Sequence, residues 1–338
     1  MATMDVFNST AFSTTSLSGS VEKMDFQPGL LGSLNIFEPE PVRTLDVFID
    51  RRDGVLTLIP SQPDGAAPDA LEGDTRDAVS LRARQLAKRF TLYAREVQGI
   101  RAFGGETELM QVQREFGRRL ERIRNDMELT HENHRLGALQ GKVLDADGTT
   151  VLYDYFTEFN ESEASAVNFE LGTNTTDVRG KCAEVIRAMA RSARGSFTPS
   201  TTVHALAGDT FYDQLINHPN VRDTFLTFSA ASDLRQTKAF DAFNFGGITF
   251  HNYRGTDDSS TVAVPATEAK FFPVGARDMF KHIMAPMGTQ EFVNTPGQSV
   301  YALTVPDRER NMWVKGEIYS YPIFLCQQPR VLRKATNA

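Results

Sequence analysis

The chain has 338 residues, enough to bury a substantial core as one large domain or two ordinary ones. Its 41% hydrophobic and 23% charged content is that of a folded chain in water, and its formal net charge of -7 argues against an overall nucleic-acid-binding surface, which is normally basic. Cys182 and Cys326 form no CxxC and no zinc spacing, which favours a reduced cytosolic setting while leaving one disulfide open. No run of about 18 apolar residues is present, so no membrane span is expected. Residues 1–20 lack the basic, apolar and small-residue regions of a secretory signal.

In chain order, the Ser- and Thr-rich residues 1–20 read as a mobile arm. Gly29 to Pro41 reads as an extended tether broken by Gly and Pro. VRTLDVFIDRRDGVLTLIP predicts two strands around Asp53-Gly54, and SQPDGAAPDALEGDT, residues 61–75, predicts a projecting loop before VSLRARQLAKRFTLY leads back. In ETELMQVQREFGRRLERIRNDMELTHENHR, Leu109, Val112, Phe116, Leu120, Ile123 and Met127 repeat at helical spacing, which predicts one long helix with a single apolar stripe. A coiled coil is the rival, but Leu120 and Met127 drift off a strict heptad. Gly137 and Gly141 are expected to end this helix, and KVLDADGTTVLYDYF to form a hairpin on a two-residue Asp147-Gly148 turn. A second helix is expected over 177–194, with Asp177 as N-cap, a stripe of Val178, Cys182, Val185, Ile186 and Met189, and Gly195 at C′. TTVHALAG reads as a strand turning through Gly208-Asp209 into a short helix holding Phe211 and Leu215; GGITFHNYRG and MWVKGEIYSYPIFL read as strands. No internal repeat is found.

Few of these residues combine into chemistry. His131 and His134 stand three apart, beside Glu128 and Glu132, whereas the zinc helix pattern needs two His four apart. Asp145-Ala-Asp147-Gly148 resembles part of a calcium loop, but position twelve is Phe156 instead of a bidentate Glu. Gly180-Lys181-Cys182 resembles the end of a phosphate loop, but the required earlier Gly is Thr175 and the triplet lies inside a helical stripe. Gly208-Asp209 precedes a helix, where a capping Asp would repel an anion. Arg114, Arg118, Arg119, Arg122 and Arg124 are interleaved with Glu115, Glu121, Asp126 and Glu128 at helical distances, so that helix is expected mostly to neutralise itself. No catalytic, cofactor or metal residue is therefore assigned. A hydrolase built on Asp145, Asp147 and Asp154 is the enzyme alternative.

The order of arm, projecting loop, long helix, hairpin, mixed region and closing strands resembles the major capsid proteins of tailed bacteriophages. Three stretches carry the likeness: ENHRLGALQGKVLDADGTTVLYDYFTEF, ATEAKFFPVGARDMFKHIMAPMGTQEFVNTPGQSVYA and SYPIFLCQQPRVL. They are similar to the family of the phage lambda major head protein, major capsid protein E, with the α+β fold named after phage Hong Kong 97. The resemblance implies an N-terminal arm (1–40), an extended loop (41–93) and a peripheral domain (94–174) with spine helix 106–136 and hairpin 141–156. It also implies an axial domain (175–300) and closing strands (301–338). It further implies pentamers and hexamers in an icosahedral shell, a portal at one vertex, room for a decoration protein, and packaged DNA held without sequence-specific binding. No cofactor and no membrane are implied, and the shell would be assembled in the host bacterial cytoplasm. Because only residues 1–40 precede the loop, a separate scaffolding protein is expected instead of a fused one. A tail-tube or other virion structural protein is the second alternative.

Overall fold

The computed structural model describes residues 29–52, 76–98, 108–227, 242–253 and 263–337. The expected arm at 1–20, the strand VLTLI and the loop at 61–75 lie outside the described residues. In chain order the elements are α1 (Leu30–Ser33), β1 (Glu38–Pro41), β2 (Asp46–Arg52), β3 (Arg76–Arg82), β4 (Leu86–Tyr93), α2 (Ala94–Gln98) and α3 (Glu108–Gln140). They continue with β5 (Lys142–Leu144), β6 (Val151–Asp154), α4 (Tyr155–Glu158), β7 (Val167–Asn168), α5 (Val178–Ser192), β8 (Thr202–Ala207), α6 (Asp209–Asn217) and α7 (Pro219–Thr227). The chain closes with β9 (Phe243–Phe245), β10 (Ile248–Asn252), β11 (Glu268–Val274), β12 (Phe280–Met284), β13 (Tyr301–Pro306), β14 (Trp313–Ser320), β15 (Pro322–Cys326) and β16 (Arg333–Thr336). Among the described residues no helix is long and apolar enough to cross a membrane.

Two compact units interleave along the chain. The first takes residues up to Val47, then Leu81–Glu132 and His282–Phe324. Its core is the apolar stripe of α3 laid on an antiparallel sheet of order β13-β14-β4. Phe116, Leu120, Ile123 and Met127 pack with Leu92, Ala302, Val314 and Ile318, as the helical spacing requires. The side chains of Leu109 and Val112 lie outside the described residues. Gly316 on β14 lets the Phe90 ring cross the strand, since a Cβ there would stand 2.4 Å from Phe90 Cε1. Phe90 then meets Phe116 edge-on at 4.9 Å. Arg119 pins α3 to the strand end: it donates to Glu115 Oε1 (2.9 Å), Glu96 Oε2 (2.7 Å) and the Thr91 carbonyl (3.1 Å).

Gly29–Pro41 is not a tether. It forms α1 and β1, with Leu31 buried and Val42 N donating to the Met284 carbonyl at 2.9 Å. Leu31 and Phe37 dock the segment, Phe37 meeting Phe324 edge-on at 5.4 Å.

The second unit holds Phe48–Ser80, Asn133–Lys281 and the chain from Leu325 onward. Its mixed sheet has the order β7-β16-β11-β8-β10-β9, with β8 and β10 parallel. Val203, Ala205, Phe250 and Phe271 are buried on it. Phe169 stacks on Phe271 at 5.9 Å and meets Phe211 of α6 edge-on at 5.5 Å. Helix α5 buries Val178, Cys182, Val185 and Met189, and the Asp177 carboxylate accepts from Gly180 N at 3.0 Å as the expected N-cap. The C′ residue is Arg194 and not the expected Gly195, because Ala193 is the C-cap and Arg194 itself takes φ +45°; Gly195 follows at φ +97°. Gly246 and Gly247, at φ +59° and +84°, turn β9 directly into β10, so GGITFHNYRG supplies the turn and the second strand of a hairpin whose first strand precedes it.

Candidate functional site

The densest group of chemically suggestive residues lies where α3 runs into the β5–β6 hairpin. The helix continues to Gln140, so Gly137 lies inside it and only Gly141 ends it, at φ +83°. Gly137 serves a close approach: a Cβ there would lie 2.8 Å from both the Lys142 carbonyl oxygen and Val143 Cα. Gly141 serves two needs at once, since its carbonyl accepts from Tyr155 N at 2.9 Å and a Cβ would stand 2.3 Å from Phe156 Cε2. Val143, Tyr153, Tyr155 and Phe156 are all buried around it. Burial, with neighbouring Tyr153 next, holds the Tyr155 phenol well above its ordinary pKa.

The hairpin has a longer loop than the Asp-Gly pair predicts. Residues 145–150 connect the strands, with Asp145 N donating to the Thr150 carbonyl (2.9 Å) and Gly148 N to the Asp145 carbonyl (3.0 Å). Asp147-Gly148 closes a four-residue turn within that loop. The Asp147 carboxylate accepts from Thr149 N (2.9 Å), Thr150 N (2.8 Å) and Thr150 Oγ1 (2.6 Å). The Thr150 hydroxyl, followed by the two backbone amides, holds it below the ordinary carboxylate range although it is fully exposed. Asp154 caps α4, accepting from Phe156 N at 3.1 Å, and pairs with Lys142 at 3.3 Å. The Asp145 carboxylate accepts from Ala146 N at 2.7 Å. Each of the three acids is engaged by its own neighbours, as turn and cap residues are.

The other sequence candidates are also absorbed by architecture. His131 is fully buried in the first unit, with Nε2 3.0 Å from Ser320 Oγ. That hydroxyl gives its one proton to the Ser299 carbonyl at 2.7 Å, so His131 Nε2 is the donor. His131 Nδ1 stands 3.7 Å from Glu128 Oε2, beyond hydrogen-bond reach. His134 is buried in the second unit. Among the described residues no three His, Cys, Asp or Glu side chains group to hold a metal ion. Cys182 and Cys326 are both free and buried, which resolves the disulfide question; burial pushes each thiol up to about 12. Gly180 belongs to the cap of α5, where a Cβ would meet Asp177 Oδ2 at 2.5 Å. The cap of α6 is Gly208, with Asp209 in the first turn, so the expected capping by Asp209 is corrected.

The charges of α3 neutralise partly within the helix and partly against strands. Desolvation would raise the Glu115 pKa, but the hydrogen bonds and charges of Arg119 and Arg118 together lower it, while Asp126 takes Lys88 of β4 at 2.6 Å.

Three arrangements have no signature in the sequence. Glu132 binds the amides of α1. His204 and His251, on adjacent strands, share a hydrogen bond of 2.9 Å. Arg330 pairs with Glu161 at 3.2 Å and donates to the Ser192 carbonyl at the end of α5. Each joins residues far apart in sequence, where local spacing carries no signal.

A long amphipathic helix lies on a three-stranded sheet in the first unit, and the second unit is built on a mixed sheet. The fold is that of a phage capsid subunit. The solved capsid of Myoviridae phage XM1 matches with a TM-score of 0.51 at 13% identity, covering 93% of this chain and 94% of that one. The major capsid protein of Salmonella phage Felix O1 is 25% identical over an alignment of 362 residues, 95% of either chain. That of Pseudomonas phage KPP10 is 32% identical over 231 residues, 63% of this chain and 65% of its own length. The family model for phage major capsid protein E matches residues 13–337, and the chain belongs to that family. Its role is structural, in the multi-subunit capsid shell of a virion. That membership decides against both the tail-tube and the hydrolase alternatives.

Proposed function

We propose that the subunit assembles into pentamers and hexamers that close an icosahedral shell around the genome, in the host bacterial cytoplasm. A separate scaffolding protein guides assembly, a portal takes one vertex, and the outer surface leaves room for a decoration protein. The observation that carries this reading is the family match from residue 13 to residue 337.

A subunit that tiles needs heterologous contacts that close into rings, and segments that bury their surface on neighbours. In this reading the arm is 1–40, the extended loop 41–93, the peripheral domain 94–174 with closing strands 301–338, and the axial domain 175–300. The limits at 93, 174 and 300 fall at or between element ends, the limit at 40 cuts β1, and the two compact units, made of interleaved segments, cut across all of them. The net charge of -7 disfavours a lumenal face that grips DNA, so the genome slides during packaging.

The test is expression of the chain alone and together with its neighbouring scaffolding gene product, followed by negative-stain electron microscopy. Uniform round shells only with the partner present are the expected result. Uniform shells from the chain alone would remove the scaffolding requirement, and open tubes in both cases would remove the closed-shell reading.

A further inference from the structure

Helix α1 is four residues long, and its N-cap, Gly29, has no side chain with which to satisfy the first amides. Those amides are capped from a distance. Leu31 N donates to Glu132 Oε1 at 2.8 Å and Gly32 N to Glu132 Oε2 at 3.2 Å, across 101 and 100 residues of sequence. Glu132 lies within α3 and is only 5% exposed, in a place where an uncompensated carboxylate would be costly. Gly29 makes room for it: a Cβ there would stand 2.5 Å from Glu132 Cδ and 2.6 Å from Oε1. The chain at and after this contact is docked as well. Leu31 is 1% exposed, Phe37 meets Phe324 edge-on at 5.4 Å, and Gly297 N donates to the Val42 carbonyl at 2.8 Å.

We propose that Glu132 is a latch holding the root of the N-terminal segment, residues 29–37, on the subunit, so that the residues before Gly29 leave from one fixed point. The latch combines an apolar plug, Leu31, with charge-assisted hydrogen bonds, which are stronger than neutral ones. Loss of the carboxylate orphans two amides beside a buried side chain. In the shell, a fixed exit point determines which neighbour the arm meets; this consequence rests on the assembly reading above.

The test uses the full-length chain with Glu132→Gln and, separately, Gly29→Ala, followed by hydrogen exchange of the unassembled subunit. Gln keeps one acceptor but turns an NH2 group toward the amides. Amide exchange at Leu31 and Gly32 should speed up about tenfold or more, with the α3 core unchanged. Exchange within about twofold of the parent in both variants would overturn the latch. If Glu132→Gln fails to fold, Gly29→Ala, which displaces the carboxylate without removing it, carries the comparison. Electron microscopy of the same proteins reads the consequence: absent or misshapen shells are expected where the parent forms regular ones. Regular shells from a variant whose root exchanges freely would overturn the role in assembly. A parent that forms no shells would count against the assembly reading alone, because the exchange comparison still decides the latch.

Discussion

At the scale of single residues, Gly141 concentrates the demands of the join. It combines a left-handed backbone with a Phe156 ring where a side chain would stand. Gly141→Ala should therefore cost about 2 kcal/mol, read as a lower denaturant midpoint with an unchanged m-value. Asp147-Gly148 was legible as a turn signal, but the three bonds to its carboxylate that lengthen the loop to six residues were not, because the same dipeptide serves both geometries. His204 and His251 show the opposite case: each looks ordinary in sequence, and only the parallel pairing of β8 with β10 brings them together. Burial lowers the pKa of His204, and burial followed by the charge on His204 lowers that of His251 to about 4. An unfolded histidine titrates near 6.5, so between about 6.5 and about 4 the unfolded chain binds more protons than the folded one. Stability should fall as pH drops through that window and level off below it. Denaturant midpoints at pH 7 and pH 5 check this, with a flatter dependence expected in a His204→Asn/His251→Asn double variant.

At the scale of elements, the long helix was legible because a single apolar stripe has the helical period, and Phe116, Leu120, Ile123 and Met127 all lie in the core. Phe116→Ala should cost about 4 kcal/mol, since the ring is fully buried against Phe90 and the sheet. The end of the helix was legible only to within four residues. Gly137 carries the same weak helix propensity as Gly141, and what separates them is that only Gly141 takes the left-handed backbone that turns the chain, with Phe156 packed over it from beyond the hairpin. Gly29–Pro41 misled for the same reason: broken apolar pieces look like a tether until the Glu132 carboxylate and Phe324 are in place. The closing chain is also tied by contacts with no local signature. Arg330 and Glu161 form a largely buried ion pair, and Arg333 donates to the Ala188 carbonyl of α5 at 3.1 Å. Removing one partner leaves the other charge buried, so Arg330→Ala should cost about 3 kcal/mol, measurable by urea denaturation.

At the scale of the whole molecule, the family was readable because long stretches such as the helix-to-hairpin segment and the region around FPVG carry specific sequence, and the match extends over residues 13–337. The interleaving of the two compact units was not readable, because strand partners such as β4 and β14 stand more than two hundred residues apart. The most direct measurement is cryo-electron microscopy of the purified assembled particle. The expected result is an icosahedral shell with five- and six-membered rings, in which every subunit shows α3 lying on the β13-β14-β4 sheet. A helical tube, or a small monodisperse species under every assembly condition, would contradict it.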